Sequence, residues 1–589
     1  LASPLGLGGT NTLHVPAFTT QPVDSGFGQH FSPGSTKELL AAERKKEIMV
    51  GLTMGSLVIT VCFGTVGLLS VTTGMIAAAA APCLFVAAAG AGMTAIFSIY
   101  CLFSVLAYKK EQMKSVGVFN ANPLEGNHTE GRYRIYDGRV SSVALDDSVA
   151  THTMRKEMIK SAHSSIILSG NICGGESFDE ILELIDERMK KKESLRVVLL
   201  SSSMCQTKSN REKLNSLQRK FPRRFELIRT DKLLHYEPGL KVTMSHVKAL
   251  VVDWKYAILG GSLLLDSFTR HSGLNHSAPD EIPRSGGLVE RLLAGKYRDQ
   301  DWAFSCKNPS TLEGSVDSQI LYLARQVLRL GVRSKSLSQL DVMTQKFKEQ
   351  ENQLAPCLAL DMLKESYDFN AVTRASSRTQ VGNFDSHLHK VEDVRMQVFA
   401  TGPEQGDSSY LTQLVRDIDR AKESIVIAQF YFHPPDVLLN ALANAAKRGI
   451  KIRIISNGLV GRHPPVHQFF VPRSLYNFYQ LCSDLPEEAR ANIRIFQYSV
   501  EDASYHKKVM VVDDIVYGGS SNWGYKSLQA SDWELNFRAE SSILAYETRS
   551  ILVRDRFAQN SQEVRSPDEI SLSTAIYAAV HRLCAPLVG

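Results

Sequence analysis

The stretch His246-Val247-Lys248-Ala249-Leu250-Val251-Val252-Asp253 returns as His506-Lys507-Lys508-Val509-Met510-Val511-Val512-Asp513, and the rest of the chain is read outward from that pair. Each copy leads to a small-residue turn, Gly260-Gly261-Ser262 and Gly518-Gly519-Ser520. In an extended strand residues i and i+2 share a face, so each His and its Lys address one site together. The Val-Val before each Asp predicts buried strand. Two such strands brought together give two imidazoles and two ammonium groups, a set that suits a phosphodiester.

The repeat runs beyond the motif. Ile159-Lys-Ser-Ala-His-Ser-Ser-Ile-Ile-Leu-Ser169 is similar to Ile418-Asp-Arg-Ala-Lys-Glu-Ser-Ile-Val-Ile-Ala428. Each leads into a helical pattern, at Phe178–Lys192 and Val437–Arg448, and then a β-branched run, at Leu195–Leu200 and Ile450–Ile455. Helical periodicity alternating with short β-branched runs predicts βαβ units with largely parallel, doubly covered sheets. The fold class expected is α/β, two lobes related by internal duplication with the site between them.

The motif resembles the HxKxxxxD signature of the phospholipase D superfamily, which is usually followed by GSxN. The resemblance covers the last three-quarters of the chain. A phosphodiester resists attack because it is anionic, so its cleavage needs charge neutralisation, a nucleophile and a proton for the leaving alkoxide. Lys248 and Lys508 supply the charge, and the histidines have an unperturbed pKa near working pH. Spacing leaves open which histidine attacks. The resemblance implies His246 as the nucleophile that becomes a phosphohistidine and His506 as the acid/base, with no metal and no cofactor. It also implies an acidic residue some way after each motif to orient each imidazole. The matching segments are Asp301-Trp-Ala-Phe304 and Glu534-Leu-Asn-Phe537, so that role is expected of Asp301 and Glu534. Asp253 and Asp513 complete the motifs and are expected to hold the fold. Ser262, Ser520 and Asn522 are expected to bind substrate phosphate, with Leu264 standing where the first turn lacks its Asn.

The 589 residues are 44% hydrophobic, ordinary for a globular chain, with one local exception. From Ile48 to Tyr108 there is no Asp, Glu, Lys or Arg. One spanning helix needs about twenty apolar residues, so this run is expected to hold a two-helix transmembrane hairpin, Ile48–Leu69 and Ala81–Ala107. Arg44-Lys45-Lys46 and Lys109-Lys110 flank it, which keeps both ends and the lobes on the cytoplasmic side. The expected map is a flexible tail at 1–40, the hairpin at 41–112, a linker at 113–130, lobe 1 at 131–305, a helical insert at 306–390 and lobe 2 at 391–589. Within the insert, Ile320–Leu330 and Val342–Gln353 read as helical. The excursion Ser267–Arg298 reads as a substrate loop, and its His271 and His276 complete no metal-ligand spacing.

The nine cysteines form no CxxC pair, which favours a reduced compartment. A net charge of +6 suits an anionic membrane surface and falls short of a dedicated nucleic-acid binder. The resemblance implies a phospholipid substrate, as in phospholipase D or bacterial cardiolipin synthase, whose family also places a two-helix hairpin before two such lobes. The partners expected are phospholipid and bilayer, with no nucleic acid and a pocket formed within one chain. The location expected is a bacterial inner membrane. The alternative is secretion into a host vacuole membrane, since the hairpin after a Ser/Thr/Gly-rich tail resembles inclusion-membrane proteins. A nuclease and a non-catalytic membrane scaffold are the competing functions.

Overall fold

The computed structural model describes residues 138–230, 244–274, 295–307, 319–339, 357–402, 409–458, 465–528, 532–567 and 569–583. The expected tail, hairpin and linker lie outside the described residues, as do the helix at Val342–Gln353 and most of the Ser267–Arg298 excursion. Among the described residues no helix is long and apolar enough to cross a membrane.

The first half supplies strands β1 (Gly138–Leu145), β2 (Ser165–Ile172), β3 (Arg196–Ser202), β4 (Phe225–Arg229), β5 (Ala249–Val252), β6 (Tyr256–Gly260), β7 (Lys296–Arg298) and β8 (Asp301–Ser305). The second supplies β9 (Val391–Thr401), β10 (Ser424–Gln429), β11 (Lys451–Asn457), β12 (Ile493–Tyr498), β13 (Ala503–Tyr505), β14 (Lys508–Val512), β15 (Ile515–Gly519), β16 (Glu534–Glu540) and β17 (Ser561–Glu563). Fifteen of them make one sheet in the order β17-β12-β11-β10-β14-β15-β16-β9-β1-β8-β6-β5-β2-β3-β4. Outward from the β9–β1 seam the two halves repeat the same order, and among the described residues β17 alone has no counterpart. That seam is antiparallel, and an antiparallel pair is itself two-fold symmetric, so the duplication axis passes through it.

The expectation of a largely parallel sheet is corrected. Within the fifteen-stranded sheet only β2-β3-β4 and β10-β11-β12 run parallel, while motif strands β5 and β14 lie antiparallel to β2 and β10. The tight turn after each motif Asp makes β5–β6 and β14–β15 antiparallel as well, since a turn of two or three residues can join only antiparallel neighbours. These turns use left-handed backbone at Asp253 (φ 49°), Trp254 (φ 60°) and Asp513 (φ 45°).

Helices cover the outer face of each half. Helix Gly175–Lys191 buries Phe178, Ile181, Leu182, Ile185 and Met189, one apolar stripe at helical spacing. Glu176 in its first turn and Arg188, Lys190 and Lys191 in its last match the helix dipole. Helix Asp436–Lys447 does the same in the second half with Leu438, Leu439, Leu442 and Ala446. A third core is shared. β15 packs against β6, although four strands separate them in the sheet order, so the sheet curls until its halves face each other. Trp302, Phe304 and Phe537 meet edge to face there. Gly518 is needed at this contact, because a Cβ would collide with the Trp302 ring.

Candidate active site

Each motif histidine lies just before its strand, in a segment paired with the opposite half of the molecule. The His506 N–H donates to the Arg298 carbonyl at 2.8 Å, extending a parallel β7–β13 pair. The His246 N–H donates to the Trp533 carbonyl at 2.9 Å, and Ser245 bridges Trp533. The residue after each of those carbonyls is a buried acid. His246 Nδ1 therefore meets Glu534 Oε1 at 3.0 Å, and His506 Nδ1 meets Asp299 Oδ2 at 2.7 Å. Each imidazole takes its carboxylate from the other half. A carboxylate accepts, so each Nδ1 carries the proton and each Nε2 keeps its lone pair.

Lys248 and Lys508 fold back so that each Nζ donates to the carbonyl of its own motif histidine at 2.7 Å. Lys508 Nζ also sits 3.0 Å from His506 Nδ1 and 3.1 Å from Nε2. Burial and the mutual repulsion of the two ammonium groups bring Lys248 down to about 7. Burial brings Lys508 down to about 8, against the pull of Asp299 and Glu534. Burial also lowers both histidines. The lowering is deepest at His506, where Lys508, Lys248 and His246 add to it, whereas Glu534 opposes it at His246. Burial alone would raise Glu534, but His246, Lys248 and the Ser520 hydroxyl hold it at about 2. Asp299 is raised, because burial outweighs the attraction of Lys508.

Asp301 does not meet a histidine. It opens β8, paired with Leu145 and Gly260. Its carboxylate accepts from the Ser262 N–H at 3.2 Å and lies 3.9 Å from Arg155. The acid beside His506 is Asp299, two residues earlier, directly after the Arg298 carbonyl that accepts the His506 N–H, as Glu534 directly follows the Trp533 carbonyl that accepts the His246 N–H. The sequence reading missed Asp299. The signal that identifies it is the cross-half pairing of Arg298 with His506, which the sequence does not carry.

Strand register also corrects the turn. Val252 pairs with Tyr256 and Val512 with Ile515, so the first turn is one residue longer. Gly261 then corresponds to Ser520, Ser262 to Ser521 and Leu263 to Asn522; Leu264 is not the counterpart of Asn522. Ser520 Oγ donates to Glu534, whereas a Cβ on Gly261 would strike the Asp299 carboxylate. Ser262 faces lobe 1, its hydroxyl 3.2 Å from Ser148 and its carbonyl accepting from Arg155 at 2.8 Å. Asn522 is buried in the second half.

Asp253 and Asp513 lie at the far ends of the motif strands, roughly 20 Å of extended chain from the histidines. Asp253 accepts from the N–H groups of His163, Ser164 and Ser165 at 2.7, 2.8 and 2.6 Å. Asp513 accepts from Lys422, Glu423 and Ser424 at 2.7, 3.0 and 3.0 Å. They tie the entry of β2 and β10 to the motif strand. Phe268, Tyr297 and Phe430 surround the His506 ring at centroid distances of 5.0, 5.7 and 5.1 Å, residues to which sequence reasoning had given no role at the site. Among the described residues no cluster of His, Cys, Asp and Glu has the makings of a metal site.

Residues 414–556, which include the second motif, match the family model described as cardiolipin synthase, PLD-like domain. Cardiolipin synthase of Geobacillus sp. (strain WCH70) is 28% identical over 198 residues, 33% of this chain and 36% of the relative. Cardiolipin synthase A of Pseudomonas syringae pv. syringae (strain B728a) is 26% identical over 198 residues, 33% of this chain and 38% of the relative. The match thus spans little more than a third of the length of these curated relatives. Among solved structures, phosphatidylserine synthase of Haemophilus influenzae Rd KW20 aligns over 77% of this chain and 95% of its own, at 13% identity and a TM-score of 0.47. The chain carries, in residues 414–556, a phospholipase D-like domain of the kind found in cardiolipin synthases.

Proposed function

We propose that the chain is a phosphodiesterase or phosphatidyltransferase of membrane phospholipids that works through a phosphohistidine. The observation that carries the reading is the paired exchange of carboxylates, His246 with Glu534 and His506 with Asp299, around two buried lysines. In this chemistry one imidazole Nε2 attacks phosphorus, and the bond to the leaving alkoxide breaks as the other imidazolium gives that oxygen its proton. The second imidazole then takes the proton of an incoming water or alcohol, whose oxygen attacks phosphorus and breaks the P–N bond. Lys248 and Lys508 hold the non-bridging oxygens throughout.

The two halves are unequal, and that favours His506 as the attacker. Lys508 lies against its ring and Asp299 lacks a serine brace, so His506 resists protonation more than His246 does. His246, backed by the firmly ionised Glu534, is the better proton donor. This reverses the order that the resemblance implies.

The lipid reading also draws on the apolar run Ile48–Tyr108 as a membrane tether, with the lobes on the cytoplasmic side. Membranes holding the full-length protein, incubated with phosphatidylglycerol and with phosphatidylcholine, test the proposal by product mass. Cardiolipin plus glycerol identifies the transferase, and phosphatidic acid plus headgroup identifies the hydrolase. Cleavage of DNA with both lipids untouched identifies a nuclease. No turnover of any of these favours the scaffold.

A further inference from the structure

Behind the His506 half of the site lies a buried ion network for which the proposed chemistry has no use. Arg298 donates from Nε to Asp555 Oδ1 at 2.8 Å and from Nη2 to Asp146 Oδ1 at 2.9 Å. Lys507 Nζ lies 2.6 Å from Asp555 Oδ2, and the Tyr505 hydroxyl donates to the same oxygen at 3.0 Å. The side chains of Arg298, Lys507 and Asp555 are wholly buried. Removing one member of such a group leaves its partners as uncompensated buried charge. Asp555 ends helix Ser542–Asp555, where a negative charge opposes the helix dipole, so the helix gives no reason for it.

The network grips the chain beside both members of one catalytic pair. Arg298 precedes Asp299, Lys507 follows His506, and the Arg298 carbonyl accepts the His506 N–H. The internal duplication provides a built-in comparison. The same positions in the other half are Trp533 and Val247, the latter buried and neither charged. In that half the Ser520 hydroxyl braces Glu534. In this half the serine is replaced by Gly261, and the ion network stands where the brace is missing.

We propose that Asp555 is a positioning residue: by binding Arg298 and Lys507 at once it locks β7 to β13 and so holds Asp299 against His506. This rests on the phosphotransfer reading of the site, and the experiment separates the two. In the full chain, Asp555→Asn is expected to lower kcat by about a hundredfold, the scale of a catalytic group displaced by an ångström, with KM little changed. In 15N-histidine spectra of Asp555→Asn, the His506 ring signals are expected to move toward an unanchored tautomer mixture while those of His246 stay. A second variant, Asp555→Asn with Lys507→Met, removes the stranded cation; it is expected to recover thermal stability but neither kcat nor the His506 signals. The proposal is overturned if Asp555→Asn keeps wild-type kcat and ring signals. It is equally overturned if the double variant recovers kcat together with stability, or if neither variant folds, which makes the network a folding element. A wild-type protein without turnover sinks the phosphotransfer reading, and the ring signals then still decide the role of Asp555.

Discussion

Behind each imidazole stands a carboxylate that the linear motif does not contain, because it arrives from the opposite half of the molecule. The proposed chemistry gives each histidine a separate, necessary step, so His246→Asn and His506→Asn should each lower kcat by roughly a thousandfold with the fold intact. Phosphoenzyme trapped at alkaline pH and digested is expected to carry its label on the His506 peptide. Label on the His246 peptide restores the order implied by resemblance. The lysines set a second expectation. They serve the reaction as cations, and burial brings them to about 7 and about 8. In the free enzyme charge is therefore lost as pH rises through that range, so kcat/KM should fall above about pH 7–8. A bound phosphodiester favours the ammonium forms, which moves the corresponding limb of kcat to higher pH. An alkaline limb of kcat/KM near the ordinary lysine range would falsify the buried-cation account. The His and Lys positions were legible because their spacing is local. The choice of Asp299 over Asp301 was not, since two acids two residues apart differ only in which of them follows the carbonyl that pairs with His506, a contact made across the two halves.

At the scale of elements, the two motif aspartates act as clamps between strand ends. Each carboxylate gathers three consecutive backbone N–H groups at the entry of β2 or β10. Asp253→Ala strands its donors around a buried position, at a cost of about 3 kcal/mol, whereas the Lys422 and Glu423 donors at Asp513 are exposed and find water, so Asp513→Ala costs less. The Asp253 variant should lower the unfolding midpoint clearly, and the Asp513 variant by a smaller step, while kcat per folded molecule stays near wild type in both. Lost kcat at an unchanged midpoint assigns these residues to the reaction instead. The helices and strands of the βαβ units were readable from periodicity, as helix Gly175–Lys191 with its single apolar stripe illustrates. Strand direction was not. A run such as Ala249–Val252 is apolar throughout, and only the length of the turn after Asp253 says that its neighbour runs the other way.

At the scale of the molecule, the halves are not independent beads on a string. They share a core at Trp302, Phe304 and Phe537, a ladder at the β1–β9 seam, and both histidine–carboxylate pairs. The duplicated sequence announced two units but not this exchange, because a repeat says that two parts are alike and nothing of which surface each turns to the other. The exchange makes a strong prediction for residues 391–589 produced alone. That piece would expose β9 as an unpaired edge, an apolar face built for a partner, and a His506 without Asp299. The seam it loses is antiparallel and two-fold, so a second copy can pair with it β9 to β9. Such a dimer would face Glu534 of one copy toward His506 of the other, as Glu534 faces His246 within the full chain. Light scattering should therefore report dimers or larger species, and dilution to monomer should abolish phosphodiester cleavage. A monodisperse, active monomer of 391–589 would mean that one histidine and its own half suffice, and the cross-half account of the site would fall.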